Sequence, residues 1–362
     1  MRWRPGRAWR PEGNCERSPN AVNQAMPDSP TPQVGPLFIS GRQHSGNTVT
    51  ACVFENVPDC LAVNVEGLFF EHRGLVQRIK DPAQRADYLV DLLRFEDGAL
   101  MEETRAWLVG WHREHADASP VDAYREAMRF ATTARGKRFW VRRATSYIFY
   151  AQEILTLMPE ARMLFLLRNP YDICASLKRR DARLDRLWSP VLSWNRGLRT
   201  AARLQEAFPD RFLIVRYEDM VTEPTDVFRR IFAFVGVGFR EAYLDVPHVN
   251  RSEAQETREI ATRGLTPSRV YHYQDLLSSP EVAAIDLLVW NQGLLDHYPE
   301  LPHRKTTRRG GTWVKALALL AGSPIKLIRH EARRLARHDI RWQIRRLLRR
   351  AVLLVPRFGN RG

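Results

Sequence analysis

The sequence predicts an α/β fold with a mainly parallel central sheet, and three observations predict it. Two continuous apolar runs, ARMLFLLR and FLIVR, are too uniformly hydrophobic for half-exposed strands and read as strands buried on both faces. A shorter run, PLFIS at 36–40, passes through the glycine-containing stretch GRQHSGNT directly into helical spacing. Amphipathic helical patterns separate the runs, and strands alternating with helices make parallel crossovers.

Taken in order, Pro36 to Ser40 form the first strand, Gly41 ends it, and Thr48 to Asn56 form the helix after the turn. From Pro82 to Ala134 apolar residues recur near every third or fourth position between Asp and Glu, as in YLVDLLRFEDGALMEETRAWLVGW, which predicts a helical insertion covering the sheet. The basic stretch ARGKRFWVRRATS reads as a link, followed by a helix around Tyr150 to Leu157 that stops at Met158-Pro159. ARMLFLLR ends at Arg168, where Asn169 suits a cap and Pro170 the first helical position of DICASLKRR. VLSWNRGLRTAARLQEAF adds another helical region, FLIVRYED a further buried strand, and EPTDVFRRIFAFVGV a helix closed by Gly236. No internal repeat has a fixed period.

Composition bounds the function. A chain of 362 residues with 44% apolar content can bury one large core, in one domain or two. The net charge is +15, and its position matters: 17 of the 56 basic residues but only 2 of the 41 acidic ones lie between Arg304 and Gly362, which leaves 39 of each in the rest. The body is neutral and the tail holds the excess. Cys15, Cys52, Cys60 and Cys174 are widely spaced, without a C-x-x-C pair, so a reducing compartment is the simpler expectation than a disulfide scaffold. Residues 1–35 are rich in Pro, Asn and Ser, have no apolar segment of signal-peptide type, and are expected to be a disordered leader. No apolar run reaches the roughly 20 residues of a membrane-spanning helix. The expected location is cytoplasmic, with peripheral attachment to a membrane as an option.

GRQHSGNT has the skeleton of a phosphate-binding loop, Gly-x-x-x-x-Gly-x-Thr, with Asn47 where the lysine would stand. Gly41 and Gly46 permit the backbone to approach an anion closely, Ser45, Asn47 and Thr48 add neutral donors, and Arg42 and His44 supply charge. Without the lysine a nucleoside triphosphate loses a main contact, so the loop suits a differently arranged anion. An ordinary glycine-containing turn is the plainer alternative for this stretch taken alone. A second anion-suited strand end follows at Arg168, with Ser176 about two helical turns on, roughly 10 Å along the axis. Two such ends in one sheet imply a ligand with anionic groups at two places.

These residues resemble the sulfotransferases that use 3′-phosphoadenosine 5′-phosphosulfate (PAPS), in particular the branch with carbohydrate and tyrosyl-protein sulfotransferases. FISGRQHSGNT is similar to their 5′-phosphosulfate loop, whose usual Gly-x-x-Arg-Ser-Gly-Thr-Thr falls on Gly41, His44, Ser45, Gly46, Asn47 and Thr48. PEARMLFLLRNPYDICASLKRR resembles the 3′-phosphate motif, which implies that Arg168 and Ser176 bind that phosphate; FLIVRYEDMVTEPTDVFRRIFAFVGV resembles the scaffold block after it. GLTPSRVYHYQDLLSSPEVAAI resembles the later segment that closes over the nucleotide, so the likeness runs from about Leu37 to Tyr298. The resemblance implies a P-loop-like three-layer fold, with helical insertions and here a basic helical C-terminal extension, and PAPS as donor without a metal. The chain departs from the pattern at His44, where relatives have arginine, and at Asn47, where they have threonine. Arg142-Arg143-Ala144-Thr145 stands where many relatives have Glu-Lys-Thr-Pro, which puts Arg143 in the place of the lysine near the sulfonate.

Sulfonate transfer needs an activated acceptor hydroxyl and relief of the charge that builds on the departing oxygen. A carboxylate suits the first task. In the resembling families it lies shortly after the first helix, where NVEGLFFEH offers Glu66, with Glu71 and His72 as substitutes. Apolar neighbours around Glu66 would desolvate it and raise its pKa; a solvated surface glutamate is the alternative. Charge relief falls to the loop amides, Arg42 or His44, and Arg143. A metal site is not expected: His112 and His115 are three apart without partners at ligand spacing, and read as exposed helix residues. Gly-x-Ser-x-Gly is absent.

In the tail, LARHDIRWQIRRLLRRAVLL places Ile340, Ile344, Leu347, Leu348 and Ala351 on one face beside a stripe of Arg337, Arg341, Arg345 and Arg349. Such a helix suits an anionic membrane surface or an acidic acceptor, with packing on the body as the alternative. Nucleic acid is disfavoured because no nucleic-acid motif accompanies the charge. The expected organisation is a leader at 1–35, a sulfotransferase domain at 36–303 and a basic amphipathic tail at 304–362. The acceptor expected from the branch resembled is a hydroxyl on a glycan or glycolipid. Two rivals remain: a P-loop kinase, opposed by the missing Gly-Lys pair, and a non-catalytic membrane or polyanion binder on the same fold, which His44 and Asn47 keep open.

Overall fold

Five parallel strands form one sheet in the order β2-β3-β1-β4-β5: β1 (Leu37–Gly41), β2 (Cys60–Val63), β3 (Phe139–Arg143), β4 (Arg162–Leu167) and β5 (Phe212–Arg216). This architecture is a computed structural model that describes residues 34–180, 188–246, 264–301 and 311–320. The chain divides into 1–33 and 34–362, and all described residues lie in the second unit. The leader and the amphipathic tail segment at 335–354 lie outside the described residues; part of the extension, 311–320, is helical. Among the described residues no helix is long and apolar enough to cross a membrane.

Met163–Leu167 of β4 and Phe212–Val215 of β5 are continuously apolar because helices cover both faces of the sheet, giving three layers. In β1, Leu37 and Ile39 pack with α1 (Asn47–Glu55), while Phe38 points the other way against Phe70, Trp140 and Tyr147. The insertion between β2 and β3 is four helices, α2 (Phe69–Val76), α3 (Pro82–Leu93), α4 (Gly98–Glu114) and α5 (Pro120–Ala134). Three of them start where the sequence supplies a cap: Asp81, Asp97 and Ser119 each accept a backbone N–H three residues on. The other helices are α6 (Ala151–Leu157), α7 (Pro170–Arg180), α8 (Trp188–Ala207), α9 (Tyr217–Thr222), α10 (Pro224–Val235), α11 (Tyr273–Leu276), α12 (Ser279–Leu288) and α13 (Asn291–His297). On the α1 side α10 completes the layer, with Phe54 and Phe232 stacked at 5.0 Å, and Gly236 ends it at φ 85° as its position predicts.

Two expectations are corrected. The basic stretch at 134–146 is not a link: its centre is β3, all five residues of which are buried. The two arginines mask the strand, because Arg142 and Arg143 lie at its end and turn to opposite faces, with Arg142 fully buried. His112 is not an exposed helix histidine but is 2% exposed, on the inner face of α4, whereas His115 is exposed beside the helix end.

Burial, with the nearby Arg85 charge, pushes the His112 imidazole down to about 4 from its ordinary 6.5. A histidine depressed in the folded state binds fewer protons than in the unfolded chain, so stability falls as pH drops through the window from 6.5 toward 4. The loss is on the order of 3 kcal/mol at most. Denaturant unfolding at pH 7 and pH 4.5 should therefore show a smaller acid-induced loss for His112→Leu than for the wild type, and equal losses would show that the ring is not held neutral.

Candidate active site

The sheet leaves a cleft at the carboxyl ends of its central strands, where successive crossovers diverge and ligands bind in open α/β sheets. Arg42, Ser45, Thr145 and Arg168 supply its polar lining, and Ile148, Phe149 and Trp194 part of its apolar wall. The loop after β1 is shaped by its own backbone. Ser45 N–H donates to the Arg42 carbonyl at 3.1 Å, His44 and Gly46 take φ values of 69° and 92°, and Gly46 leads into the first turn of α1. The backbone N–H groups at the start of α1 are therefore presented at the cleft. Gly41 permits this path, since a Cβ there would lie 2.6 Å from the Leu166 carbonyl.

Asn47, standing in the lysine position, is buried and uses its Nδ2 to donate to the carbonyls of Gly41 at 3.0 Å and Arg42 at 3.3 Å. Both amide protons are engaged in closing the loop, so what Asn47 offers a ligand is its backbone N–H. Thr48 lies in the first turn of α1. Ser45 is fully buried, lines the cleft, and its hydroxyl has no hydrogen-bond partner among the described residues; the same holds for Nε of Arg42 and of Arg168. Burial lowers the Arg42 guanidinium from its ordinary value, with Cys174 acting in the opposite sense. Unmet buried donors at a positively charged cleft, with a glycine cradle that a side chain would fill, fit an anionic ligand.

The second strand end is built by a buried network. Asn169 caps α7 by accepting the Asp172 N–H at 2.8 Å, and its side-chain and backbone N–H groups both donate to Glu218 of α9. Burial raises the Glu218 carboxyl against the bonds from Asn169 and Tyr298. Arg168, 3% exposed, stands on the face of Tyr217 at 4.3 Å and donates to the His44 carbonyl at 2.6 Å, which ties the two strand ends together. Its Nη1 also reaches Ser176 Oγ at 3.5 Å. The arginine and serine that the sequence singles out are thus brought together at one place.

Glu66 reaches the cleft through Thr145. One carboxylate oxygen accepts both the N–H of Thr145 at 2.8 Å and its hydroxyl at 2.6 Å. Thr145 is itself positioned by β1, because Ser40 Oγ accepts from Ile148 N–H at 3.0 Å and donates to the Thr145 carbonyl at 3.5 Å. Gly67 follows where only glycine fits, as a Cβ there would lie 2.1 Å from the Tyr147 hydroxyl. Glu71 and His72 belong to the first turn of α2 and do not line the cleft. Arg143 donates to Asn64 Oδ1 at 2.5 Å on the α1 side of the sheet and does not line the cleft either. Sequence reasoning missed Thr145, Tyr217 and Asp172 beside the cleft; the first two follow the ends of β3 and β5, and Asp172 lies in the first turn of α7. Among the described residues no group of three or more His, Cys, Asp and Glu is placed to hold a metal ion, and Cys52, Cys60 and Cys174 are buried free thiols.

A family model described as "Sulfotransferase family" matches residues 36–241. No curated protein sequence matches the chain. Among solved structures the chain is similar to the sulfotransferase domain of the olefin synthase of Synechococcus PCC 7002, at 20% identity and TM-score 0.50, over 76% of this chain and 98% of that one. It is also similar to the sulfotransferase STF9 of Mycobacterium avium, at 16% identity and TM-score 0.42, over 76% and 79%. At such identity the first likeness shows the shared fold.

The loop geometry makes Asn47 a structural tie. Asn47→Ala removes two hydrogen bonds to buried carbonyls and should cost about 1–3 kcal/mol in denaturant unfolding, with faster hydrogen exchange of the 43–48 amides; unchanged exchange would show that the loop holds its shape without the side chain.

Proposed function

The chain belongs to the sulfotransferase family and is a PAPS-dependent enzyme with a hydroxyl-bearing acceptor; from that premise we propose that the acceptor hydroxyl belongs to a carbohydrate or glycolipid, and that the cleft residues divide the work as follows. The loop amides, Ser45, Thr48 and the backbone N–H of Asn47 hold the 5′-phosphosulfate, within the cradle formed by Gly41 and Gly46. Arg168 and Ser176 hold the 3′-phosphate. Glu66 takes the proton of the acceptor hydroxyl. Arg42 and His44 offset the negative charge that grows on the oxygen linking sulfonate and nucleotide. When bound, PAPS supplies the sulfonate and departs as the bisphosphate.

One observation carries the reading: two anion-suited loops on adjacent strands, joined by the bond from Arg168 to His44, share one end of the sheet with a carboxylate fixed by Thr145. The two bonds from Thr145 leave the other carboxylate oxygen of Glu66 outside that tie. Relief of charge by buried, prearranged donors is worth far more than in water. The carbohydrate or glycolipid acceptor rests on the resemblance to that branch, and the basic stretch at 335–354 is read as the chain's contact with an anionic membrane.

Thermal unfolding should show stabilisation by adenosine 3′,5′-bisphosphate without magnesium, corresponding to about 2.7 kcal/mol at a hundredfold excess over Kd, with much less from ATP and loss of the effect in Arg168→Ala. Equal responses to the two nucleotides would sink the donor assignment. Glu66→Gln keeps an oxygen to accept from Thr145, so turnover with a glycolipid acceptor should fall about 10²–10⁴-fold while bisphosphate binding is retained; retained turnover would move the base elsewhere. For the tail, changing Arg337, Arg341, Arg345 and Arg349 together to Glu in the full chain should abolish flotation with anionic liposomes, and undiminished flotation would refute the membrane contact.

A further inference from the structure

The segment after 264 is docked on α7 by one carboxylate. Asp172, fully buried, accepts the backbone N–H of Tyr271 at 2.8 Å and of Tyr273 at 2.9 Å, while the residue between them, His272, places Nδ1 3.0 Å from the same carboxylate. Nδ1 also lies 2.8 Å from the Arg269 carbonyl. These two nearest partners are acceptors, and Nη2 of Arg168, a donor 3.5 Å from the same nitrogen, is engaged by the Arg269 carbonyl, so the ring carries its proton on Nδ1 whenever it is neutral. The other nitrogen is turned into the place where the two strand-end residues meet: Nε2 is 3.3 Å from Ser176 Oγ. Arg168 closes the group, with Nη2 donating to the Arg269 carbonyl at 2.5 Å and lying 3.5 Å from the His272 ring.

Three side chains from three parts of the chain therefore converge within 3.5 Å of one another. Asp172, at 3.6 Å from Arg168, is the only carboxylate among the described residues in contact with the group. Its oxygens are already shared among Asn169, His272 and two backbone N–H groups, and Nε of the buried Arg168 has no hydrogen-bond partner among the described residues. Donors thus exceed acceptors at this point, which is the condition for binding an oxyanion.

We infer that His272 is a third ligand, with Arg168 and Ser176, for the phosphate on the ribose of the donor nucleotide, and that the docking of 264–273 on Asp172 brings this ligand to the site. The inference rests on the reading of Arg168 and Ser176 as the 3′-phosphate residues. A phosphate offers the oxygens this group lacks: the Ser176 hydroxyl turns its proton to it, Arg168 donates with its freed N–H groups, and Nε2 donates as an imidazolium balanced by Asp172 at Nδ1. A Ser-His-Asp nucleophile made of Ser176, His272 and Asp172 is the competing description of this place. Ser176 lies within α7 with a guanidinium against its hydroxyl, and not on the exposed turn that presents such a nucleophile.

The test compares two nucleotides that differ only in that phosphate. Binding of adenosine 3′,5′-bisphosphate and of adenosine 5′-monophosphate is measured by calorimetry on the full-length wild type, His272→Ala and His272→Gln. The expected result is a ten- to hundredfold loss of bisphosphate affinity in His272→Ala, as for one charge-assisted bond, with monophosphate affinity unchanged and partial recovery in His272→Gln, which retains a donor. Equal losses for both nucleotides would show that His272 only docks the segment and would overturn the inference. So would an unchanged bisphosphate affinity. A wild type that binds the two nucleotides equally would instead overturn the assignment of Arg168 and Ser176, and the inference with it.

Discussion

The buried carboxylate of Asp172 is the constraint on which the cleft depends. It sits in the first turn of α7, where the helix N-terminus favours negative charge, and it receives bonds from its own cap residue, from two backbone amides of a segment about a hundred residues away, and from His272. Burial pushes this carboxyl up, but the bond from His272, the Arg168 charge and the bond from Asn169 outweigh burial and hold it below the usual carboxylate range. It is therefore an anion in the folded protein. Removing one partner of such a buried group leaves the rest uncompensated, typically at several kcal/mol.

Glu218 is the complementary case. It is nearly as buried, and its carboxyl is raised rather than lowered, although it accepts from Asn169 and Tyr298. The difference lies in the partners: Glu218 is met by neutral donors, Asp172 by a guanidinium and an imidazole. Together they clamp Asn169 from both sides and so fix the turn between β4 and α7. Because Arg168 is the residue before that turn, its guanidinium is aimed at the His44 carbonyl and the loop after β1. The ends of β1 and β4 are thus parts of one hydrogen-bonded network.

The loop after β1 shows how a missing lysine changes the chemistry without changing the path of the chain. Asn47 ties the loop from inside, in place of a long cation reaching across bound phosphates. The positive charge comes instead from arginines at the end of the same strand and of its neighbour, Arg42 and Arg168. Glu66 belongs to the same logic at a third point, since Ser40 of β1 fixes 145–148 and Thr145 fixes the carboxylate.

By itself the sequence determined the layered α/β fold, the glycine loop, the cap at Asn169 and the helix stops, and it singled out Glu66, Arg168 and Ser176 as candidates. These are local signals: apolar runs, caps and turns act within a few residues and stay legible in one dimension. It did not disclose β3, because two buried arginines at the strand end imitate a solvated link, nor the burial of His112, whose side of α4 is set by what packs there. The tertiary structure alone decided which side chains meet. Arg168 bonds across 124 residues to His44, Ser176 across 96 to His272, and Glu66 across 79 to Thr145. No periodicity records such pairings, since each depends on how the crossovers order the strands and on which donor finds a buried acceptor once water is gone.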